Sequence, residues 1–288
     1  MTPRQSTLLL VAIAAIGAIA WFNAGEATAP PPEPAAAEAP AIEPRWFSSQ
    51  PQAGGSSDLP RPARIAGPTV NGRNGRAVDL GGLTVAQYIA TRMRAARSGD
   101  VEAAYAVYQA ESICAAINDP VPDYAEPDDR EIFLKERESR IKLCVGLSPA
   151  QVQERLGFLA MAARAGKVDA QVDFYMEGPF GRDVDLVLVA ADPAVKQWKD
   201  DAVSFLKQAG DKCDHFSLAL LSTVYDSGEL TPRDMRTSMA YAIAAAVPRK
   251  VPLTEEQLRT QFGAELSAAD FASAQQMGAQ LASQACPK

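Results

Sequence analysis

Three kinds of side chain in this sequence have the chemistry for a reaction or a cross-link. The first is the single histidine, His215, which follows Cys213 and Asp214 directly. A nucleophile, an imidazole base and an orienting acid are the minimum for covalent catalysis. No Gly-x-Ser-x-Gly elbow stands nearby to expose a nucleophile, so His215 reads as a helix-end surface residue. The second kind is a glutamate followed by serine, found at Glu111-Ser112 and Glu138-Ser139. A carboxylic acid can protonate a glycosidic oxygen, but glycoside hydrolysis commonly uses two carboxyls at a set distance. Glu138 lies in the run Lys135-Glu136-Arg137-Glu138, whose alternating charge reads as a solvated helix face. The third kind is the cysteines Cys114, Cys144, Cys213 and Cys286. No two of them form Cys-x-x-Cys, and one histidine cannot complete a zinc set. An even number of cysteines in an exported chain reads as two disulfides.

Other chemistries have less support. There is no Gly-x-x-x-x-Gly-Lys loop and no Gly-x-Gly-x-x-Gly after a strand, so nucleotide binding is not indicated. The formal net charge of −7 argues against nucleic acid as a partner. We therefore expect no catalytic residue, no cofactor and no metal, and a protein that is not an enzyme.

The elements that carry these residues are helices. Apolar residues make up 47% of the chain but aromatic residues only 7%, because much of the apolar share is alanine. That balance favours close-packed helices over a sheet core. Thr84-x-x-Gln87, Ser148-Pro149-x-Gln151 and Thr254-x-x-Gln257 match capping boxes. Thr231-Pro232-x-Asp234, Ser267-x-x-Asp270 and Asp192-Pro193 offer further helix starts. The pattern predicts helices over 84–97, 101–117, 129–145, 149–165, 168–177, 193–209, 214–226, 232–246, 254–262 and 267–285. The run 184–190 is the best strand candidate, and it reads better as an extended connector.

These helices repeat a signature. Ala162-Ala163-Arg164-Ala165-Gly166-Lys167-Val168-Asp169-Ala170 matches Ala95-Ala96-Arg97-Ser98-Gly99-Asp100-Val101-Glu102-Ala103. Small residues end one helix, glycine supplies a left-handed turn, and an acid suits the start of the next helix. Weaker copies run through Ala202, Phe205, Ala209 and Gly210, and through Ser238, Tyr241, Ala245 and Ala246. Recurrence of this kind is the mark of stacked helical hairpins. Over residues 84–247 the pattern resembles the Sel1-like branch of tetratricopeptide-type repeats, with irregular spacing and interruptions at 118–128 and 179–192. The resemblance implies an all-α, right-handed superhelical stack of about five hairpins that binds other proteins. The aromatics at repeat positions are expected in the core. Phe180 and Trp198 lie off the pattern and are the candidate exposed contacts for a partner.

In a plain hairpin, Cys114 and Cys144 would stand at opposite ends, about 20 Å apart, whereas a bond needs α-carbons within about 7 Å. The Pro-rich linker between the two helices reaches about 33 Å when extended, enough to restart the second helix at the far end. Of the three possible connectivities we favour Cys114–Cys144 with Cys213–Cys286.

Before the helices come an export segment (1–27) and a linker (28–78). Leu8 to Phe22 is an unbroken apolar run with Arg4 before it. It reads as a signal anchor or a signal peptide, with the anchor favoured and the remainder outside the cytoplasm. Residues 29–40 are Pro- and Ala-rich, a semi-rigid spacer, and the linker as a whole reads as disordered. The expectation is a periplasmic helical domain (79–288), anchored at the inner membrane, that binds an unknown protein or peptide. The alternative is a peptidoglycan-acting enzyme with an unrecognised acidic site. Exported helical proteins include lytic transglycosylases, which place a catalytic glutamate before serine. Their downstream Gly-Leu-Met-Gln is missing here.

Overall fold

A computed structural model of the protein describes residues 70–118, 120–123, 126–182 and 184–287. The apolar run at 8–22 and the spacer lie outside the described residues. Within them the fold is all-α apart from one small hairpin. Strands β1 (Val70–Asn71) and β2 (Ala77–Val78) pair antiparallel, with Val70 opposite Val78. Residues 70–78, whose composition reads as linker, thus form a paired hairpin. The hairpin packs on the helices through Val78 and Leu80, both buried, and the partly buried Val70.

The helices follow as α1 (Val85–Ala90), α2 (Met93–Arg97), α3 (Val101–Ala115), α4 (Pro127–Leu143), α5 (Pro149–Arg164) and α6 (Val168–Glu177). Then come α7 (Pro193–Gly210), α8 (His215–Ser227), α9 (Met235–Ala246), α10 (Glu255–Phe262) and α11 (Ala268–Ala285). The three capping boxes form as their sequences predict, at Thr84, Ser148 and Thr254. Two expectations need correcting. The helix anticipated over 84–97 breaks at Thr91–Arg92. There the Thr91 hydroxyl and the Arg92 guanidinium both donate to the Tyr88 carbonyl, at 2.9 and 3.1 Å, and compete with the helical ladder. The helix anticipated from 232 starts at Met235. Asp234 is the stronger cap, accepting from both the backbone N–H and the hydroxyl of Thr237.

Packing follows chain order: α2 on α3, α3 on α5, α5 on α6, α6 on α7, α7 on α8, α8 on α9, and α9 on α11. Small residues make the close approaches, with Ala96, Ala162, Ala163, Ala202 and Ala209 all buried. Gly99 and Gly166, in matching turns, take φ of 94° and 85°, the left-handed region that a side chain disfavours. Helix α4 stands apart and buries no residue. Its end is tied to the end of α3 by Cys114–Cys144, with α-carbons 5.7 Å apart. Cys213–Cys286, at 4.9 Å, ties the start of α8 to the end of α11. Both bonds match the favoured pairing and fit an oxidising, extracytoplasmic compartment. Residues 186–190 form turns, so the run 184–190 is not a strand. Among the described residues, no helix is long and apolar enough to cross a membrane.

Candidate functional site

Helix geometry places Asp169, Asp173 and Glu177 on one face of α6, each four residues after the last. Opposite stand Tyr105 and Tyr108 of α3, and the tip of the β-hairpin closes the third side. Asp173 accepts from Arg76 Nε and from the Tyr105 hydroxyl, both at 2.7 Å. Asp169 pairs with the same guanidinium at 3.0 Å. The Tyr108 hydroxyl donates to Glu177 Oε1 and accepts from Asn74 Nδ2, each at 3.0 Å. Arg155 of α5 completes the set, with Nη2 at 3.0 Å from Glu177 Oε2. That pair is all but sealed, with side chains 2% and 1% exposed.

Burial dominates the electrostatics. It pushes the Asp173 carboxyl up despite the opposing pull of Arg76 and Tyr105. At Arg76, nearer the edge, burial is again the largest single effect, but Asp173, Tyr105 and Asp169 together outweigh it and hold the guanidinium charged. Burial followed by the neighbouring carboxylates raises both tyrosine hydroxyls, so they remain donors at any physiological pH. The network is therefore a polar clamp in which both tyrosine protons are fixed.

Next to the clamp the surface opens into a trough. Two clefts, of about 220 and 230 Å³, share Gly178, Pro179 and Trp198. The first is walled by Leu156, Leu159, Phe174 and Ala194, the second by Tyr175, Met176, Val184, Leu186 and Leu230. Trp198 corrects the expectation of an exposed contact, since the residue is only 8% exposed and its indole N–H donates to the Phe174 carbonyl at 3.2 Å. It divides the trough instead of projecting from it. Phe180 is half-buried in the turn after α6 and lines neither cleft. Beside the trough, Val187 and Leu188 are 77% and 82% exposed. Asp201, Glu229 and Arg182 sit among the lining residues.

The sequence-level candidates for catalysis do not converge. Cys213 is consumed by its disulfide, the Asp214 carboxylate caps α8 at 2.7 Å from Ser217 N, and His215 is exposed beside them. Glu138 is on the solvated α4 and is ion-paired with Lys142, which holds its carboxyl low. Glu111 is the opposite case, a carboxyl with no exposed surface and neither oxygen hydrogen-bonded within the described residues. Burial, with help from Glu154, pushes it up to about 8, against the pull of Arg155 and Arg97. A protonated acid at neutral pH suits general acid catalysis, yet no glycan oxygen can approach a carboxyl so enclosed. Among the described residues no group of three or more His, Cys, Asp or Glu is placed to hold a metal ion.

The chain matches no protein-family model, no curated protein and no solved structure.

The clamp and its hairpin were missed by sequence reasoning, though a signal for each exists. Asn71-Gly72 and Asn74-Gly75 between Val70 and Val78 form a hairpin signature, and Asp169, Asp173 and Glu177 recur at helical spacing. The trough has no local signal, because its walls come from α5, α6, α7 and the loops after α6 and α8.

Proposed function

We propose that the protein is a non-catalytic interaction module of a bacterial cell envelope, held outside the cytoplasm and anchored at the inner membrane by residues 8–22. The observation that carries this reading is the trough divided by Trp198, a concave surface mainly apolar in its first cleft and mixed in its second, with exposed aliphatics beside it. Isolated surface apolar residues need no explanation, but a walled apolar trough is the usual form of a recognition site. Chain-order packing of the helices and the matched glycine turns support the Sel1-like hairpin stack, a scaffold that typically presents binding surfaces. Asp201 and Glu229 outnumber Arg182 at the trough, so the occupant is a peptide segment with an aliphatic or aromatic anchor and a flanking lysine or arginine.

The test is selection from a randomised peptide library on the immobilised full-length chain, compared with Trp198→Ala. The reading expects enrichment of peptides with an apolar anchor beside a basic residue, and at least tenfold weaker binding to the variant. Failure to enrich any sequence, or equal binding to both proteins, would overturn it.

A further inference from the structure

The hairpin and the trough meet at one carbonyl. Gly181 O accepts from Arg73 Nη1 of the hairpin at 2.6 Å and from Arg155 Nη2 at 2.9 Å. Gly181 is buried and takes φ of 66°, and a Cβ there would run into Arg155 Nη2 and the Leu156 side chain. The turn from Gly178 to Arg182 is thus pinned from two sides. Three of its residues, Gly178, Pro179 and Arg182, form trough wall. Its own backbone contributes little, with long hydrogen bonds of 3.3 Å at Gly178 N and 3.4 Å at Gly181 N. What shapes this wall is the pair of arginines, and one of them belongs to the hairpin.

The hairpin is itself a small element. Two-residue strands are not stable alone. It is seated by Arg73, Asn74 and Arg76 on the clamp, by Val78 in the core, and by Gly72 lying close against Ser112 of α3. Residues 1–69 precede it in the chain.

We propose that the hairpin is a latch on the trough: its docking on α3 and α6 holds the Gly178–Arg182 turn, and release of the hairpin frees that wall. Docking and trough occupancy are then thermodynamically coupled, so whatever fills the trough also tightens the hairpin, by the same factor in each direction. The second half of this statement rests on the trough being the binding site, whereas the first half is measurable without a ligand.

The experiment is hydrogen exchange on the full-length chain, comparing wild type with Arg73→Ala and with Gly72→Val. Gly72→Val places a side chain where Ser112 stands and so unseats the hairpin without touching the Gly181 contact directly. The latch predicts lost protection over 70–78 and roughly tenfold or faster exchange over 178–182, with α9 and α11 unchanged. It is overturned if 70–78 opens while 178–182 exchanges as in wild type. It is equally overturned if the hairpin stays protected in both variants, or if α9 and α11 loosen to the same degree, which would mean general destabilisation. Adding a peptide from the library selection should slow exchange over 70–78 severalfold, and an unchanged rate would remove the coupling. If the library yields no binder, the reading of the trough fails, while the ligand-free comparison still decides whether the hairpin holds the wall.

Discussion

Glu111 is the residue whose chemistry is furthest from its surroundings. Its carboxyl moves from an ordinary value of 4.5 up to about 8, so the folded state binds a proton that the unfolded state has released. Stability from this group is fully present below about pH 4.5 and is lost as pH rises through about 8. Equilibrium unfolding of the wild type should show this decline, on the order of 2–5 kcal/mol across that window. Glu111→Gln should flatten the profile, and an unchanged slope would mean that Glu111 is not the group responsible. Arg155 and Glu177 make the other residue-scale prediction. Replacing either with alanine leaves a buried charge alone and should cost about 3–5 kcal/mol, while Arg155→Met with Glu177→Leu should cost much less than the two single losses together. Denaturant melts of the three variants measure this directly. None of these roles was legible in the sequence. In the sequence Glu111 is half of a Glu-Ser pair and nothing marks Arg155, because burial and pairing are set by α3, α5 and α6 together.

Among the elements, α4 is the most dependent on a covalent tie. It fully buries no residue and meets the core through the partly buried Leu143, so the Cys114–Cys144 bond is its main tie. Closing a loop across a separation of 30 residues is worth about 4 kcal/mol in the chain-entropy account. Cys114→Ser with Cys144→Ser should therefore leave α5–α11 protected in hydrogen exchange and let α4 exchange near the rate of an open chain. Persistent protection of α4 would show that packing holds it instead. At this scale the sequence was most informative. Capping boxes at Thr84, Ser148 and Thr254 and the glycine turns at 99 and 166 are local, so the chain displays them without its fold. The break at Thr91–Arg92 is local too, but it turns on which hydrogen-bond acceptor two side chains choose. The β-hairpin was hidden for another reason: its strands are too short to show alternation, and it is held by partners on α3 and α6.

On the scale of the whole molecule, two disulfides in a helical domain point outside the reducing cytoplasm. Anchoring is proposed from residues 8–22 alone, and the mature protein decides it. If the segment is an anchor, N-terminal sequencing or intact mass of the membrane fraction should find residues 1–27 retained. A mature end after Ala27 or Ala29 would show a cleaved signal peptide and remove the tether. The trough belongs to this scale as well, since α5, α6, α7 and two loops build it, and only Trp198 was singled out from sequence, for a different posture.

The most direct test of the interaction-module account is to map where a selected peptide sits. The full-length chain, titrated with a library-derived peptide and followed by hydrogen exchange, should gain protection over 174–182 and 195–201, with the effect lost in Trp198→Ala. Protection confined to α4, α10 or α11, or binding that leaves every segment of the trough unchanged, would contradict the account.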